Sequence, residues 1–328
     1  MRVLKRISFL LLMFLILFSF EANLMAAQIR VAGVVFQEDQ FMKLLQKGFE
    51  DAAKAAGAEC LLANTNNDQA KETELINTYI SQQIDGIAIA PLSNTTSVAM
   101  LKKASDAGLK IAVCNTNLTN APFIVGGYTS DQKELGRRTG EVCRKFIMQK
   151  LGGKAKIAIL QFKSLLPEQS GDRVSGFLEE VKKLPGVEIV ADQDAWLQDR
   201  AVQVAGDILT AHPEVNIIWS ANEGGTIGAA MAVKNAGKAG KVFVFGTDAS
   251  EQIVQMLKDP ANVLQAVTGQ DPYTQGYKTM ETLIKAIKGE DISKTKGKCI
   301  PVPGITLSRD DKAGIEKFEK DLKAKMGG

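Results

Sequence analysis

The segment from Ile217 to Asp248 constrains the fold more than any other part of this 328-residue chain. It contains two apolar runs, at 217–219 and 242–245, with a helix of small residues between them. The first run breaks into polar residues that include Asn222, and the second ends shortly before Asp248. This order predicts a βαβ unit, whose right-handed crossover places two parallel strands side by side. We therefore expect Asn222 and Asp248 to lie together at the carboxyl edge of a sheet, where open α/β folds bind ligands.

Apolar runs of strand length alternate with amphipathic segments of helix length from Gln28 onward. Strands are predicted at 29–36, 59–64, 86–90, 110–115, 123–126, 156–161, 187–191, 216–220, 241–246 and 263–267. Helices are predicted at 41–56, 71–83, 95–107, 131–150, 170–184, 200–211, 225–236, 250–258 and 272–287. This alternation predicts parallel sheets covered by helices, an α/β fold. Because one set of βα units precedes Ser130 and a second begins at Lys156, we expect two doubly wound lobes.

The chain is too long for a single hydrophobic core. About 300 residues remain after the leader described below, whereas single cores stop growing at roughly 250 to 300 residues. The helix from Pro272 and the coil over 298–304 have no strand left to pair with in the second lobe. We therefore expect the chain to cross back there. The expected first lobe comprises 28–130 and 271–300, and the second comprises 131–270 and 301–328.

The first 27 residues have the layout of an export signal. Basic residues at positions 2, 5 and 6 precede an apolar run over 7–20, and alanines follow at positions 22, 26 and 27. This layout is typical of a secretory signal peptide, so we expect export to the periplasm and cleavage near Ala26 or Ala27. An uncleaved anchor is the alternative, but the fourteen residues of the apolar run are short for a span that needs about 20.

The net charge and the single histidine argue against several classes of function. Because the leader carries three cations and Glu21, the mature chain has a formal charge of about +1, against +3 for the full sequence. This balance gives no support to a nucleic-acid partner. The single histidine, His212, lies in a turn beside Pro213, so a Ser-His-Asp or Cys-His catalytic site lacks a convincing base. We expect a protein that is not an enzyme.

No metal ion or organic cofactor is expected. The four cysteines, at 60, 114, 143 and 299, lack the short paired spacings of a zinc site. They are compatible either with buried free thiols or with a disulfide. The glycine-rich turn over 222–228 resembles a dinucleotide-binding turn, but its spacing is not G-x-G-x-x-G, and the sequence contains no G-x-x-x-x-G-K-[ST] phosphate loop.

Polar and aromatic side chains follow most of the predicted strands. The candidates are Gln37, Glu38, Asp39, Phe41, Asn115, Thr116, Asn117, Arg173, Trp196, Asn222, Asp248 and Gln270. A sugar hydroxyl both donates and accepts hydrogen bonds, an amide offers both functions, a carboxylate accepts and a guanidinium donates. Aromatic rings cover the apolar C–H faces of a sugar ring. The set therefore predicts a binding site for a polyhydroxylated ligand.

Each candidate also has a purely structural interpretation. Asp248 could be the N-cap of the helix that begins near Ser250, and Asn222 could be a turn residue. Phe41 and Trp196 could pack in the core, as isolated aromatic residues usually do. Arg173 leads a helix and could form a surface ion pair.

Nearly end to end, the mature chain resembles the periplasmic sugar-binding proteins of the ribose-binding type, the soluble receptors of bacterial ABC transporters. The resemblance rests on segments that follow the family's order and spacing, at 41–48, 85–87 leading to 90–91, 171–177, 210–213, 222–223 with 228–229, and 246–248. It implies the type I periplasmic binding protein fold. In that fold two lobes close on the ligand at three hinge crossings, here near Ser130, near Gln270 and within 299–304.

The resemblance also implies a set of ligand contacts, which overlaps the strand-end set. These contacts fall on Phe41, Asn115, Arg173, Trp196, Asn222, Asp248 and Gln270. Several positions depart from the ribose-binding pattern. Asp39 stands where asparagine is common, Met42 and Trp196 stand where the family has phenylalanine, and Asn115-Thr116 replaces an Asp-Arg pair. We therefore expect another pentose, a hexose or a sugar alcohol rather than ribose.

The partners implied by the resemblance are a sugar-like ligand and a membrane permease, with the protein acting as a monomer. A receptor for a chemosensory or quorum-signal pathway, in contact with a chemoreceptor, would use the same pocket and is an alternative. An α/β enzyme built on this scaffold is a further alternative. A DNA-binding regulator of the same superfamily is disfavoured, because a signal peptide occupies the place of a helix-turn-helix.

Overall fold

The computed structural model describes residues 28–326. The predicted signal peptide and its cleavage site lie outside these residues. Across the part of the chain that the structure describes, no helix has both the length and the hydropathy needed to cross a membrane.

Strands and helices alternate along the described chain. The strands are β1 (Arg30–Val35), β2 (Glu59–Asn64), β3 (Gly86–Ile89), β4 (Lys110–Cys114), β5 (Gly126–Thr129), β6 (Lys154–Gln161), β7 (Gly186–Asp194), β8 (Ile217–Ser220), β9 (Phe243–Thr247), β10 (Leu264–Gly269), β11 (Cys299–Pro301) and β12 (Ile305–Ser308). The helices are α1 (Gln40–Ala55), α2 (Gln69–Ser81), α3 (Thr96–Asp106), α4 (Gln132–Lys150), α5 (Pro167–Val181), α6 (Gln198–Ala211), α7 (Glu223–Asn235), α8 (Glu251–Lys258), α9 (Pro272–Ile287) and α10 (Lys312–Met326).

The strands form two sheets of the same plan. One sheet has the order β11-β5-β4-β3-β1-β2, with every neighbouring pair parallel. The other has the order β12-β10-β9-β8-β6-β7, in which only the pair β10 and β12 is antiparallel. In the first sheet, β2 lies on one side of β1, and β3 and the later strands lie on the other side. In the second sheet, β7 and β8 lie on opposite sides of β6 in the same way. Each sheet therefore has a topological switch point at its first strand, and the predicted fold class of two doubly wound α/β lobes is confirmed.

The chain passes between the two sheets three times, at 130–131, at 270–271 and at 302–304. After the first passage, α4 packs on β9 and β10 of the second sheet. After the second passage, α9 returns to pack on β3, β4 and β5 of the first sheet. The carboxyl ends of both sheets lie next to these passages.

Short polar side chains define where several helices begin. The side chains of Asp39, Asp68, Asp131, Asn222, Ser250 and Asp271 each accept a hydrogen bond from a backbone N–H in the first turn of the helix that follows. Such a cap contributes about 0.5 to 2 kcal/mol to stability, because it satisfies a donor that has no partner within the helix. Two of these caps, Asp39 and Asn222, are also candidate site residues.

Some predicted boundaries are wrong. The strand expected at 123–126 begins only at Gly126, because the preceding residues form a turn in which the N–H of Ile124 donates to the carbonyl of Ala121 at 3.3 Å. Helix α5 begins at Pro167 rather than at residue 170, since proline is favoured in the first turn, where its missing N–H costs nothing. Strands β11 and β12 were not predicted, because three or four residues carry too little periodicity to be recognised.

Two helix pairs approach each other through glycines, one pair in each lobe. In the second lobe, a Cβ atom added to Gly176 of α5 would lie 1.9 Å from the carbonyl oxygen of Lys133 in α4. In the first lobe, a Cβ atom on Gly276 of α9 would lie 2.1 Å from the carbonyl oxygen of Leu45 in α1. In the second lobe, α4 follows the first passage between the sheets and α5 follows β6. In the first lobe, α9 follows the second passage and α1 follows β1. Candidate site residues on α1 and α5 are therefore held close to the passages.

The four cysteines are free thiols, so the disulfide alternative is not supported. Cys114 and Cys143 are buried, and Cys60 and Cys299 are half-buried. Burial raises the pKa values of Cys60 and Cys299 to about 12. Because the thiolate is the reactive form, thiols of this kind are structural rather than nucleophilic.

Candidate functional site

A cavity of about 420 Å³ lies where the carboxyl ends of strands from both sheets face each other. Its wall contains Asp39, Phe41, Asn115, Arg173, Trp196, Asn222, Asp248 and Gln270. The first three follow strands of the first sheet, and the others belong to turns or helices of the second lobe. The candidates Gln37 and Glu38 also line this cavity, whereas Thr116 and Asn117 line a neighbouring one. The structure therefore brings ten of the twelve candidates together, as expected for side chains at the carboxyl edges of parallel sheets. Their role as ligand contacts stays a prediction.

Asp248 connects three parts of the cavity wall. Its backbone has a φ of 71°, a left-handed conformation that aspartate and asparagine tolerate better than most residues. Its Oδ1 accepts a hydrogen bond from the Nε2 of Gln270 at 2.6 Å, and its Oδ2 accepts one from the backbone N–H of Glu223 at 3.1 Å. The interpretation of Asp248 as the cap of α8 is wrong, because the Oγ of Ser250 accepts from the N–H of Ile253 at 3.3 Å.

Arg173 is buried, with 3% of its surface exposed, so its interpretation as a surface ion pair is wrong. Its Nε donates to the Oε1 of Gln132 and its Nη1 donates to the carbonyl of Ala221, both at 2.7 Å. The same Nη1 lies 3.6 Å from Asp248, and the guanidinium sits 5.0 Å from the centre of the Phe162 ring. Burial lowers the pKa of Arg173, and the negative charge of Asp248 opposes that shift. These contacts hold the guanidinium rigidly in the wall.

Asn222 combines a structural role with a place in the cavity wall. As the N-cap of α7, its Oδ1 accepts from the N–H of Gly225 at 3.2 Å, while its Nδ2 donates to the carbonyl of Trp196 at 2.9 Å. Each amide atom keeps capacity for one more hydrogen bond. The indole Nε1 of Trp196 donates to Ser164 at 3.2 Å. Asn222 thereby positions the backbone that carries the Trp196 ring.

Asp39 and Phe41 stand opposite this group, at the start of α1. The Oδ1 of Asp39 accepts from the N–H of Met42 at 2.8 Å, and its Oδ2 accepts from the amide of Gln37. Burial raises the pKa of Asp39 and the nearby Asp248 adds to that shift, although the two hydrogen bonds oppose it. The half-buried Phe41 ring packs against the core and also lines the cavity, so a core role and a site role coexist.

Side chains also connect the two lobes directly. The Nε2 of Gln169, on α5, donates to the carbonyl of Asn115 at 3.0 Å and to the Oγ1 of Thr116 at 3.3 Å. At another point, the Oε1 of Gln40 accepts from the N–H of Glu251 at 3.1 Å. Only a few such hydrogen bonds would have to break for the lobes to separate.

Glu223, Gln169 and Phe162 line the cavity but were not among the candidate contacts. Glu223 directly follows Asn222, so the polar break after β8 was an available signal for it. Burial raises the pKa of Glu223 to about 7, and the negative charges of Asp248 and Asp39 add to the shift. Phe162 directly follows β6, so the strand-end position was an available signal for it as well, whereas Gln169 carried no such signal because α5 brings it to the wall.

The burial of Glu223 predicts a pH dependence of folding stability. Its pKa is about 7 in the folded protein, against an ordinary value of 4.5, so the folded protein binds more protons than the unfolded chain between these values. The free energy of unfolding should therefore fall as pH rises through this window, by about 1 to 3 kcal/mol for this group. Glu223→Gln abolishes the titration. We expect this variant to melt above the wild type at pH 8 and close to it at pH 4.5.

Glu74→Gln on α2 is the matched control, because this glutamate is exposed and lies outside the cavity. It should melt with the wild type at both pH values. Indistinguishable melting temperatures for Glu223→Gln and wild type at pH 8 would contradict a raised pKa for Glu223.

Comparison with known proteins identifies the class. The chain matches the family model described as the periplasmic binding protein domain over residues 32–291, so it belongs to the periplasmic binding protein family. It is 28% identical over 291 residues to the ABC transporter periplasmic-binding protein YphF of Escherichia coli (strain K12), with 85% of this chain and 86% of the relative covered. It is 30% identical over 269 residues to the D-allose-binding periplasmic protein of the same organism, with 79% and 82% covered.

A solved structure shows the same fold. The carbohydrate transporter solute binding protein from Agrobacterium radiobacter, determined in complex with D-arabinose, matches with a TM-score of 0.80 at 20% identity, covering 89% of this chain and 99% of that chain. The resemblance to ribose-type periplasmic binding proteins is therefore confirmed. These relatives are named as binding proteins rather than as enzymes, which agrees with the expectation of a binding protein.

Proposed function

We propose that this protein captures a monosaccharide or a sugar-like polyol between its two lobes and, as a monomer, delivers it to the permease of an ABC transporter. The observation that carries the proposal is the cavity wall, where amide, carboxylate, guanidinium and aromatic groups from both lobes face one space. A volume of about 420 Å³ lies in the range of roughly 300 to 1,000 Å³ usual for small-molecule sites. The relative named for D-allose supports a sugar as the ligand.

The wall also favours a ligand other than ribose. Asn115 offers an amide where ribose-binding proteins have a carboxylate, and Thr116 removes the arginine that follows it. The indole of Trp196 presents a larger apolar face than a phenyl ring. Another pentose, a hexose or a sugar alcohol fits this combination.

The proposed lobes are residues 28–130 with 271–300 and residues 131–270 with 301–328. Sheet membership supports the boundaries at 130–131 and 270–271, and it moves the third boundary to 302–304, because Pro301 pairs with Thr129 in the first sheet. Three short connections and few inter-lobe hydrogen bonds suit hinge bending, in which a few residues absorb the change in backbone angles. Closure would bury the ligand and form a joined surface for the permease.

Ligand binding should shrink the protein in solution, because neither lobe alone can enclose a sugar. We expect saturating ligand to reduce the radius of gyration in small-angle X-ray scattering. Tryptophan emission should change as well. Trp196 lines the cavity, whereas Trp219 is fully buried and stacks on Phe177 at 4.5 Å. Trp196→Phe should therefore abolish most of the change in tryptophan emission. A scattering curve that does not change at saturating ligand would exclude closure of the lobes.

A thermal-shift screen of the mature protein against pentoses, hexoses and polyols tests the proposed function. A ligand present at 100 times its dissociation constant adds about 2.7 kcal/mol of stability. At least one compound should raise the melting temperature by several degrees and be recovered unchanged after incubation. A screen in which no carbohydrate shifts the melt would contradict the proposal, and consumption of the ligand would indicate an enzyme.

We further propose that the protein acts in the periplasm after its signal peptide is cleaved near Ala26 or Ala27. Mass spectrometry of the protein from its native envelope should give a chain that begins close to Gln28. Recovery of a chain that retains Met1 in the membrane fraction would contradict cleavage.

A further inference from the structure

The cavity wall carries more negative than positive charge. Its ionisable side chains are Glu38, Asp39, Glu223, Asp248 and Arg173. Glu38 is 74% exposed and lies 3.7 Å from the ammonium of Lys43. Asp248 lies 3.6 Å from Arg173, the cation of the wall. Two of the four carboxylates therefore have a cationic partner.

Asp39 and Glu223 are different, because within residues 28–326 neither of them takes part in an ion pair. The hydrogen-bond donors at Asp39 are the backbone N–H of Met42 and the amide of Gln37, which are both neutral. The polar group that lowers the pKa of Glu223 is the hydroxyl of Ser250, which is also neutral. Asp39 belongs to the first lobe and Glu223 to the second, so these two carboxylates face the cavity from opposite sides.

Gln270 provides an independent sign that the wall needs a donor. Its side chain is 7% exposed and lines the cavity, and its Oε1 has no hydrogen-bond partner among the described residues. The Nε2 of Gln270 donates to Asp248 at 2.6 Å. If the amide were flipped, its oxygen would face the Asp248 carboxylate, which is also an acceptor. A flip therefore does not give the Gln270 oxygen a hydrogen-bond donor. An unsatisfied buried acceptor costs free energy until a donor reaches it.

From this arrangement we propose that the preferred ligand is an amino sugar or an amino polyol, whose protonated amine lies between Asp39 and Glu223. This inference rests on the proposed sugar-binding function and specifies the ligand class. An ammonium group has three donors and no acceptor, which matches two carboxylates and a free amide oxygen. A neutral sugar would satisfy the acceptors but leave both charges uncompensated, and a carboxylate removed from water without a partner is costly. Because the carboxylates come from opposite lobes, one amine in contact with both of them would also favour closure of the two lobes.

The test is isothermal titration calorimetry with pairs of compounds that differ only in one group. The probes are D-glucosamine with D-glucose, D-galactosamine with D-galactose, and 1-amino-1-deoxy-D-sorbitol with D-sorbitol. In at least one pair, the amine should bind about 10- to 100-fold more tightly at pH 7.5, the range expected for hydrogen bonds to a charged group. N-acetylation removes the charge, so N-acetyl-D-glucosamine should lose any advantage that D-glucosamine has over D-glucose.

Asp39→Asn and Glu223→Gln should each reduce the preference for the amine at least 10-fold. Asparagine caps a helix as well as aspartate does, so Asp39→Asn keeps the start of α1. Both variants remove a half-buried charge and are expected to fold, which thermal melts would verify. Glu50→Gln is the matched control, because its carboxylate lies on α1 outside the cavity wall, is exposed and is already paired with Lys47. It should leave the preference unchanged.

The outcomes separate the two proposals. If neutral sugars bind and their amines bind no better, the proposed function stands and the amine proposal falls. The amine proposal also falls if Asp39→Asn and Glu223→Gln keep the full preference, or if Ca²⁺ raises the melting temperature of the wild type and competes with the amine. If no compound binds, amine or neutral, the proposed function itself is contradicted.

Discussion

Replacing Asp248 with asparagine should weaken ligand binding by roughly 10- to 150-fold, because a hydrogen bond to a charged group is worth about 1.5 to 3 kcal/mol. Asparagine suits this substitution, since it tolerates the left-handed φ of 71° at this position. The loss should be larger if Arg173 turns away once its carboxylate partner is gone. Calorimetry with the compound that gives the largest thermal shift measures the effect.

The same variant should also be less stable. Arg173 is only 3% exposed, and a buried charge that loses its partner typically costs about 3 to 5 kcal/mol. Two hydrogen bonds to Gln132 and Ala221 remain and should limit the loss. The affinity must therefore be measured at a temperature where melts show the variant to be folded.

Glu180→Gln is the matched control for Asp248→Asn. Glu180 is a buried carboxylate of the second lobe that pairs with Arg144 and Lys183, and it lies outside the cavity wall. This control should lower the melting temperature and leave the dissociation constant unchanged. If Asp248→Asn behaved in the same way, with reduced stability and normal affinity, Asp248 would have no part in ligand binding.

Gly176→Ala should lower the free energy of unfolding by about 2 to 4 kcal/mol, which is large for a single methyl group. The new Cβ would lie 1.9 Å from the carbonyl oxygen of Lys133 and 2.8 Å from the backbone nitrogen of Arg137. Backbone atoms of a helix cannot rotate aside as a side chain can, so α4 and α5 would have to move apart. Because Arg173 lies one turn earlier on α5, affinity for the ligand should fall as well. Urea denaturation measures the loss of stability.

Gly171→Ala is the control on the same helix, since no atom lies within 4 Å of its added Cβ. Alanine favours a helix interior over glycine by about 1 kcal/mol. The Gly171→Ala variant should therefore be as stable as the wild type or slightly more stable. The dependence of its free energy of unfolding on urea concentration should be unchanged. Equal denaturation midpoints for Gly176→Ala and Gly171→Ala would show that the helix pair does not depend on close contact at Gly176.

The sequence determined the fold class and most of the site, and the reason is geometric. Parallel strands with right-handed crossovers place their carboxyl ends on one edge, so residues that directly follow the strands must converge there. Asn222 and Asp248 are therefore predicted from the sequence alone to lie together. The same rule located Asp39, Asn115 and Gln270 on the cavity wall.

The tertiary structure decided what each strand-end residue does locally. Asp248 and Ser250 are both able to cap α8, and their sequence positions do not distinguish between them. The left-handed backbone at Asp248 directs its carboxylate toward Gln270 and the start of α7, which leaves Ser250 as the cap. Arg173 is likewise compatible with a surface position until α4 packs against α5 and encloses it.

The charge state of the cavity also depended on tertiary structure. Glu223 occupies a strand-end turn like its neighbour Asn222, and an exposed glutamate there would be unremarkable. Its pKa is raised because the lobes together bury it near Asp39 and Asp248, which are distant in sequence. Sequence position determines which residues reach the carboxyl edge of a sheet, since strand geometry is local. Desolvation and the proximity of like charges arise only from packing, within the second lobe for Asp248 and across the cavity for Asp39, so the tertiary structure alone decided them.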